Sequence, residues 1–287
     1  MGKSILVIGA GGNVGREVVR HLAARGATAR AAVSRADTPR QPDVAAETVL
    51  FDFLDPDTFP AAFDGVERMF LLRPPAISNV KRDILPAIEY AAVAGVRQIA
   101  FLSLVGAEHN RFVPHAKIET VLKGSGIPWT MLRCGFFMQN LNTIHRADIV
   151  EHDDLFIPGG HGATSFIDVR DIGAAAARTL TEPGHEGRAY DLTGQETLTY
   201  GEVAAIMTQE LGRPITYSNP SVFSFARRMR RRGHSWNYIW VMEGIYLTTR
   251  LGLAATLAPD VELLLERPPA TMRQYVRDYA AAFAPES

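Results

Sequence analysis

The stretch ILVIGAGGNVGREVV, residues 5–19, decides the fold class of this chain of 287 residues. Residues 5–8 are an apolar run with the length of a short buried strand. After the glycines, Val14, Val18 and Val19 recur at the spacing of one helix face. A strand, a tight turn and a helix in this order predict the first unit of a parallel α/β sheet.

The glycines of this stretch also predict what the turn binds. Gly9 allows the tight turn, Gly12 allows a pyrophosphate to approach the backbone, and Gly15 allows the helix to pack closely on the strand. The helix N-terminus adds free N–H groups and a partial positive charge. We therefore expect a dinucleotide here, contacted also by Asn13 and Val14; an ordinary strand-to-helix turn is the alternative.

Strand-like and helical patterns alternate along most of the chain. The further strand-like runs are residues 28–33, 48–51, 68–72, 98–102 and 129–132. Because such alternation builds a parallel sheet covered by helices on both faces, we expect a doubly wound α/β fold. The expected organisation is a dinucleotide-binding domain at 1–150, to which 164–195 adds a strand and a helix, followed by a small, mostly helical substrate or cap domain at 196–287.

Composition indicates a small-molecule partner. The chain is 47% apolar, which is enough to bury one large core or a main domain plus a smaller one. Thirty basic and thirty-one acidic side chains give a net charge of -1. No global field therefore draws the protein to nucleic acid or to an anionic membrane, and neither is expected as a partner. The oligomeric state stays open, with a homodimer among the options.

Cysteine usage and the N-terminus indicate the compartment. The one cysteine, Cys134, cannot form an internal disulfide, and residues 1–12 lack the pattern of a signal peptide. We therefore expect a cytoplasmic protein. No apolar run approaches the roughly 20 residues that a membrane-spanning helix requires.

Two polar clusters receive structural rather than functional interpretations. RRMRRR at 227–232 lies in an expected cap helix of a near-neutral chain, which favours a solvated face over nucleic-acid binding. A second cluster has no spacing that fits a closed set of metal ligands, so no metal is assigned. Its members are His145, Glu151, His152, Asp153 and Asp154.

The residues after the second and third strands bear on the choice of cofactor. A site that prefers NAD usually has Asp or Glu about 20 residues after the glycines. Ser34 and Arg35 stand there instead, and the arginine fork can pair with a 2′-phosphate, so NADP(H) is favoured while NAD(H) stays possible. A side-chain oxygen of Asp52 and a backbone group of Phe53 are expected to flank the adenine, with capping of a nearby turn as the alternative for Asp52.

The cleft of a doubly wound sheet opens between its first and fourth strands. Leu72 and Arg73 end the fourth strand-like run, so we expect both to border the cofactor. After the sixth run, Gly135 and Phe136 are expected beside the nicotinamide. An aromatic-tolerant substrate pocket is expected beyond them, with core packing as the alternative for each side chain. The lining candidates are Phe137, Met138 and Asn140, and the candidates that close the pocket from the cap are Trp236, Tyr238 and Trp240.

With these residues in hand, the chain resembles the atypical short-chain dehydrogenase/reductases, and among them the NmrA-like group that includes triphenylmethane reductase and NADPH-quinone reductase relatives. The matching segments are ILVIGAGGNVGREVV, IAFLSLVGA, HAKIETVLKGSGIPWTMLRCGFFMQN, FIDVRDIGAAAA and RPPATMRQYV. The resemblance implies a Rossmann-like domain that binds NADP(H) at the glycine turn, and a small substrate domain. It also implies that Ser103 stands where typical members carry a catalytic Ser or Thr; capping of the strand end is the alternative.

The chain departs from that pattern at HAKIE, residues 115–119. Typical members carry Tyr-x-x-x-Lys here, and His115 and Glu119 occupy the two positions on one helix face. A histidine with its ordinary pKa can donate a proton at neutral pH, and a carboxylate beside it would raise the protonated fraction. Both are therefore candidate catalytic residues with Ser103, while packing along the helix is the alternative.

Glu119 cannot replace the cationic Lys, which casts doubt on ordinary carbonyl reduction. The reaction that remains easiest is NADPH-dependent hydride transfer to an acceptor that is already electrophilic, such as a quinone, an enone or a conjugated cation. The alternative function is a non-catalytic redox sensor that binds the dinucleotide and acts through a protein partner. The expected aromatic cap favours the reductase.

Overall fold

The computed structural model describes residues 4–34 and 47–284, and it divides the chain into two compact units. The first unit comprises the described residues of Met1–Cys134 together with Val169–Leu192 and Asp260–Arg267. The second comprises Gly135–Asp168, Thr193–Pro259 and the described residues of Pro268–Ser287. The expected boundary at residue 150 differs from this division, because the chain leaves the first unit directly after Cys134.

The strands and helices alternate in the first half of the chain, and helices dominate the second. The strands are β1 (Ser4–Val7), β2 (Thr28–Val33), β3 (Glu47–Leu50), β4 (Val66–Leu71), β5 (Gln98–Leu104), β6 (Trp129–Cys134), β7 (Phe136–Phe137), β8 (Thr164–Ile167), β9 (Arg188–Leu192) and β10 (Thr197–Leu198). The helices are α1 (Asn13–Ala24), α2 (Phe59–Phe63), α3 (Leu85–Val93), α4 (Pro114–Gly124), α5 (Arg146–His152), α6 (Val169–Thr181), α7 (Tyr200–Leu211), α8 (Val222–Arg231), α9 (Trp236–Arg250), α10 (Asp260–Leu265) and α11 (Met272–Asp278). Shorter 3₁₀ turns lie at Pro56–Thr58, Ala107–His109, Met138–Asn140 and Ala280–Phe283, and a π-helical turn lies at Val80–Ile84.

The first unit is built on a seven-stranded parallel sheet in the order β3-β2-β1-β4-β5-β6-β9. The chain runs outward from β1 to β3, returns, and then builds from β4 in the opposite direction. The expected doubly wound α/β fold is therefore confirmed. Its switch point lies between β1 and β4, and ligands of such sheets bind at the carboxyl ends of the strands there.

One expected strand belongs to a different sheet. The segment FIDV was expected to extend the main sheet, but β8 pairs with β7 and β10 in a three-stranded sheet of the second unit. The helix that follows it, α6, and the strand β9 do belong to the first unit. Of the expected contribution of 164–195, the segment Val169–Leu192 lies in the first unit and β8 lies in the second.

Each unit has its own apolar core. In the first, helices α2, α3 and α4 cover one face of the sheet, where Phe51, Phe59, Phe63 and Tyr90 form a cluster of ring contacts. The core of the second unit joins residues of the small sheet to α7, α8, α9 and α11. Among the described residues, no helix is long and apolar enough to cross a membrane.

Candidate functional site

The glycine turn follows β1 at the switch point of the sheet. Gly9 has a φ of +71°, in the left-handed region that favours glycine. A Cβ on Gly9 would lie 3.2 Å from Cδ2 of Leu72, so the turn after β1 touches the residue after β4. The N–H of Gly12 donates to the carbonyl oxygen of Gly9 at 2.9 Å and closes the turn. The loops that follow β1 and β4 therefore meet at the switch point of the sheet.

The third glycine lies where no side chain fits. A Cβ on Gly15 would lie 2.1 Å from the carbonyl oxygen of Gly9 and 2.8 Å from Cα of Ala10. Both neighbours are backbone atoms, which cannot swing aside. A Cβ on Gly12 would lie 3.3 Å from the same oxygen, which is tight but less severe. The sequence thus allows α1 to begin directly against the end of β1.

The N-terminus of α1 is prepared for an anion. Gly12 is its N-cap and has no side chain with which to cap the first N–H groups, and the first turn contains no acidic residue. Gly12 and Asn13 are exposed, whereas Val14 is buried beneath them. Free N–H groups and the positive end of the helix dipole therefore face outward, which fits a pyrophosphate.

Arg73 adds a donor at the same edge of the sheet. Its Nη1 donates to the carbonyl oxygens of Pro74, Pro75 and Ile77 at 3.0, 3.2 and 2.6 Å, so the side chain braces the loop that follows β4. Burial lowers the pKa of the Arg73 guanidinium. Its Nε is buried and has no hydrogen-bond partner within the described residues, which leaves a donor for a bound ligand.

The other predicted cofactor residues of the first unit differ in their surroundings. Ser34 is exposed directly after β2, and Arg35 lies outside the described residues. Asp52 accepts a hydrogen bond from the N–H of Leu54 at 2.9 Å, which is the turn-capping alternative. Phe53 is 5% exposed and packs edge-on against Phe51, so its side chain is part of the core.

His115 stacks on Phe101 in the middle of β5, and its imidazole is uncharged at neutral pH. Its ring lies 6.0 Å from that of Phe101, centroid to centroid, with 28° between the planes. Burial and the positive charge of Arg73 lower the pKa of His115 to about 4, although Glu119 acts in the opposite direction. Glu119 does raise the pKa of His115, as expected, but burial and Arg73 outweigh it, so the expectation that His115 keeps its ordinary pKa is wrong.

Glu119 is held by three partners inside the first unit, of which Lys123 is the most distant, at 3.7 Å from Oε2. The hydroxyl of Ser103 donates to its Oε1 at 2.7 Å. Arg133 donates from Nε to Oε1 at 3.0 Å and from Nη2 to Oε2 at 2.8 Å. Burial alone would raise the pKa of Glu119, but the bonds from Arg133 and Ser103 outweigh it and hold the pKa below its ordinary value. Glu119 is therefore an ionised and fully engaged carboxylate at neutral pH.

Arg133 is the residue of this cluster that the sequence did not predict. Ser103 of β5 and Asp191 of β9 are its partners in the sheet register, and Glu108 lies 3.2 Å from its Nη1. The only signal in the sequence is a charged residue inside the apolar strand WTMLRC. Because an arginine in a half-buried strand needs a carboxylate, that position could have pointed to Glu119.

The predicted nicotinamide and substrate residues all lie in the second unit. A Cβ on Gly135 would lie 2.7 Å from the carbonyl oxygen of Ser165, so close packing between strands explains this glycine. Phe136 pairs with Phe166 in the sheet register, and their rings meet edge-on at 6.4 Å. Phe137 follows in β7 and Asn140 ends the next 3₁₀ turn, and both are half-buried.

Three of the substrate candidates differ from one another in burial and in the side chains that they contact. Met138 is 1% exposed and belongs to the core of the second unit. Trp236 begins α9 with half of its side chain exposed, and its ring stacks on that of Trp240. Tyr238 is half-buried and stacks on His234 at 4.8 Å. The structure therefore does not bring Met138, Trp236 and Tyr238 together on one surface.

Members of the acidic and histidine cluster, and the neighbouring Asp148, are engaged by protein partners. His145 is buried and its Nε2 lies 2.5 Å from the hydroxyl of Tyr246. Asp148 is bound by both Arg228 and Arg232, at 2.6 and 2.7 Å. Asp154 accepts from the hydroxyl of Ser218 at 2.7 Å. No group of three potential metal ligands occurs among the described residues.

The fold and the glycine turn define a dinucleotide-binding protein of the Rossmann-like α/β class. The NmrA-like family model matches residues 1–235, and the chain belongs to this family. It is 32% identical to NAD(P)H azoreductase of Xenophilus azovorans over 284 residues, which cover 97% of this chain and 99% of the relative.

Two solved structures are similar over almost the whole chain. The NADPH-dependent quinone oxidoreductase of Escherichia coli in complex with NADPH matches with a TM-score of 0.82 and 26% identity, covering 96% of this chain and 98% of its own. Triphenylmethane reductase of Citrobacter sp. matches with a TM-score of 0.85 and 21% identity, covering 98% and 100%. The latter likeness supports the fold alone.

Proposed function

We propose that this protein is an NADPH-dependent oxidoreductase that transfers hydride to small conjugated acceptors, with quinones as the first class. The observation that carries the proposal is the open glycine turn at the switch point, in which Gly15 leaves no room for a Cβ and α1 presents free N–H groups. The full-length likeness to an NAD(P)H azoreductase and to an NADPH-dependent quinone oxidoreductase supports the same activity.

The sequence after β2 supports the preference for NADPH over NADH. Ser34 and Arg35 stand where an NAD-preferring site places a carboxylate. We propose that Arg35 pairs with the 2′-phosphate, because its planar fork of donors matches phosphate geometry. Gly12 and the first turn of α1 hold the pyrophosphate, and Nε of Arg73 donates to the part of the cofactor that crosses the end of β4.

Bound NADPH supplies the hydride in this proposal. The protein contributes position rather than a strong acid. His115 is neutral at pH 7 and offers a hydrogen-bonding imidazole, whereas the hydroxyl of Ser103 is committed to Glu119. The carboxylate of Glu119 is committed to Arg133. None of these three groups is an acid matched to protonating a carbonyl oxygen at neutral pH.

Acceptors that spread the incoming charge over a conjugated system suit such a site. A quinone takes up hydride to give a delocalised hydroquinone anion, which gains its proton from water. A conjugated cation takes up hydride to give a neutral product. An isolated ketone would leave a localised alkoxide that needs a donor in the transition state, and we propose that it is a poor substrate.

Isotope transfer tests the proposed reaction directly. NADPH deuterated at either face of C4 would be incubated with the protein and a cationic triarylmethane dye, because a label delivered to the central carbon does not exchange with water. We expect one of the two labelled cofactors to give a product with one deuterium at that carbon. A reduced product without label from both cofactors would contradict direct hydride transfer.

A further inference from the structure

Helix α9 is apolar on its outer side as well as on its buried side. Its inner face buries Ile239, Met242 and Tyr246, together with the polar residues Glu243 and Thr249. The outer half of the helix carries six large apolar side chains, four of them in one row along the helix and two, Val241 and Ile245, towards its other edge. These are Trp236, Trp240, Val241, Ile245, Leu247 and, directly after the helix, Leu251, all at least 40% exposed. We call these six residues the outer α9 face.

The apolar outer side is what distinguishes α9 from an ordinary surface helix. Such helices bury their apolar stripe and expose their charges. Here Trp240 is 63% exposed and Leu247 is 51% exposed, whereas the carboxyl group of Glu243 is buried and burial raises its pKa. Exposed apolar patches of this kind mark binding surfaces, since single surface apolar residues are common but contiguous faces are not.

The segment around the outer α9 face is strongly basic. Residues 221–258 contain six arginines and one acidic residue, the buried Glu243. Arg228 and Arg232 are directed inward, where they bind Asp148. The remaining four, Arg227, Arg230, Arg231 and Arg250, are exposed.

The basic and apolar parts of this surface are in contact. The guanidinium of Arg230 lies 5.3 Å from the ring centroid of Trp236, and the Trp236 ring stacks on that of Trp240 at 6.2 Å. Cationic and aromatic groups therefore form one continuous surface on α8 and α9. The interpretation of RRMRRR as a solvated face applies to part of the run only, because Arg228 and Arg232 are engaged within the second unit.

The positive charge of this surface favours an anionic membrane over a second copy of the chain as its binding partner. A second copy of the chain docked through the same face would bring eight exposed arginines together with no exposed acidic residue from 221–258 to balance them. Like charges across an interface oppose association. An anionic bilayer supplies both an apolar layer for the tryptophans and leucines and negative headgroups for the arginines.

We propose that the outer α9 face, with the exposed arginines of α8, binds the surface of anionic lipid membranes. The helix lies in the plane of the interface, with Trp236 and Trp240 at headgroup depth, where indole rings partition. It does not span the bilayer, in keeping with the absence of a spanning helix among the described residues. The net charge of -1, which argued against a membrane partner, averages over the whole chain and conceals this basic segment.

Vesicle binding tests the proposal without reference to catalysis, so its failure is distinguishable from failure of the proposed function. The full-length protein would be sedimented with vesicles of phosphatidylcholine alone or enriched in phosphatidylserine, at low and at high salt. Two variants would be compared with it: Trp240→Ser combined with Leu247→Ser, and Arg227→Gln combined with Arg231→Gln. Phe112→Ser and Lys81→Gln, exposed positions of the first unit, serve as matched controls. Circular dichroism checks that each variant is folded.

We expect binding to phosphatidylserine-rich vesicles that weakens with salt. The arginine variant should bind about 20-fold more weakly, since each Arg near an anionic surface contributes roughly a factor of five. The Trp240 and Leu247 variant should lose most of its binding, and the controls should bind as the parent does. No binding to any vesicle, or equal binding by all variants, would overturn the proposal. Concentration-dependent dimerisation that only the Trp240 and Leu247 variant abolishes, without vesicle binding, would assign the face to a second copy instead.

Discussion

Glu119 and Arg133 form a two-point ion pair at the carboxyl edge of the main sheet, with Nε and Nη2 of the arginine 3.0 and 2.8 Å from the two carboxylate oxygens. Glu119 stands at the position where the resemblance to short-chain dehydrogenase/reductases places a catalytic Lys. Where typical members have a cation available for catalysis, this chain has an ion pair between two of its own side chains that stabilises the fold. Arg133 thereby fixes Glu119 in its ionised state.

Removal of either Glu119 or Arg133 should lower the free energy of unfolding, because both side chains are largely buried. Arg133→Met leaves the carboxylate of Glu119 without its main partner, and we expect the free energy of unfolding to fall by about 3 kcal/mol. Urea unfolding at pH 7 measures the change. Arg97→Met is the matched control, because it breaks the exposed Arg97–Glu67 pair and should cost less than about 1 kcal/mol. Equal losses in the two variants would contradict the structural role of the Glu119–Arg133 pair.

The glycine turn should tolerate no methyl group at its third glycine. Gly15→Ala places a Cβ 2.1 Å from the carbonyl oxygen of Gly9, so α1 must shift away from β1. We expect NADPH affinity, measured by fluorescence titration, to fall by more than about 100-fold because the N–H groups lose their alignment with the phosphates. Gly124→Ala, in α4 with open space around it, should bind NADPH as before and gain up to about 1 kcal/mol of stability. Undiminished NADPH affinity in Gly15→Ala would show that the glycine turn does not bind the cofactor.

Arg35 should determine the choice between the two nicotinamide cofactors. Arg35→Asp replaces a donor fork with a charge that repels the 2′-phosphate, so affinity for NADPH should fall by more than about tenfold relative to NADH. Parallel titrations of the variant with both cofactors measure the ratio. Arg35→Lys, which keeps the charge but not the fork, should lie between the two. An unchanged ratio in Arg35→Asp would refute the assignment.

Stability should fall as the pH is lowered from about 6.5 towards 4, in part through His145. Burial lowers the pKa of His145 to about 4, with Arg232 acting in the same direction and Asp148 against it. Between this value and the ordinary pKa near 6.5 the unfolded chain holds more protons than the folded one, so acid favours unfolding, by at most about 3 kcal/mol from this group.

The variant His145→Gln separates this contribution from the others. Glutamine keeps a polar partner for the hydroxyl of Tyr246 but does not titrate. Urea unfolding at pH 6.5 and 4.5 should therefore show a smaller loss of stability in the variant than in the parent, by about 2 kcal/mol. His109→Gln, at an exposed position, should leave the loss unchanged. A loss in His145→Gln equal to that of the parent would show that this histidine does not drive the acid sensitivity.

The main sheet and the glycine turn could be predicted from sequence because local patterns determine them. Buried parallel strands are apolar along their whole length. Gly9, Gly12 and Gly15 are needed for the backbone geometry of the turn, and they lie within a few residues of one another. The strand β8 was assigned to the wrong sheet because its apolar pattern specifies a strand but not its neighbours. Pairing with β7 and β10 is a tertiary property.

Residues whose surroundings come from distant parts of the chain were harder to predict. Arg133 is joined to Glu119 across 14 positions of sequence, and the charge inside the apolar strand β6 indicates only that a carboxylate lies nearby, not which one. Spacing alone suggested that Glu119 would govern His115, but burial and Arg73 dominate, and neither can be computed from the helix that carries the two residues. Phe53 and Met138 lie in cores although their positions at strand ends are typical of ligand contacts.

The measurement that tests the central claim most directly is steady-state oxidation of NADPH by the purified protein with a panel of quinones, enones, conjugated cations and simple ketones. We predict turnover of the conjugated acceptors well above the rate without protein, loss of that turnover in Gly15→Ala, and little turnover of the ketones. Tight binding of NADPH with no turnover of any conjugated acceptor would contradict the account.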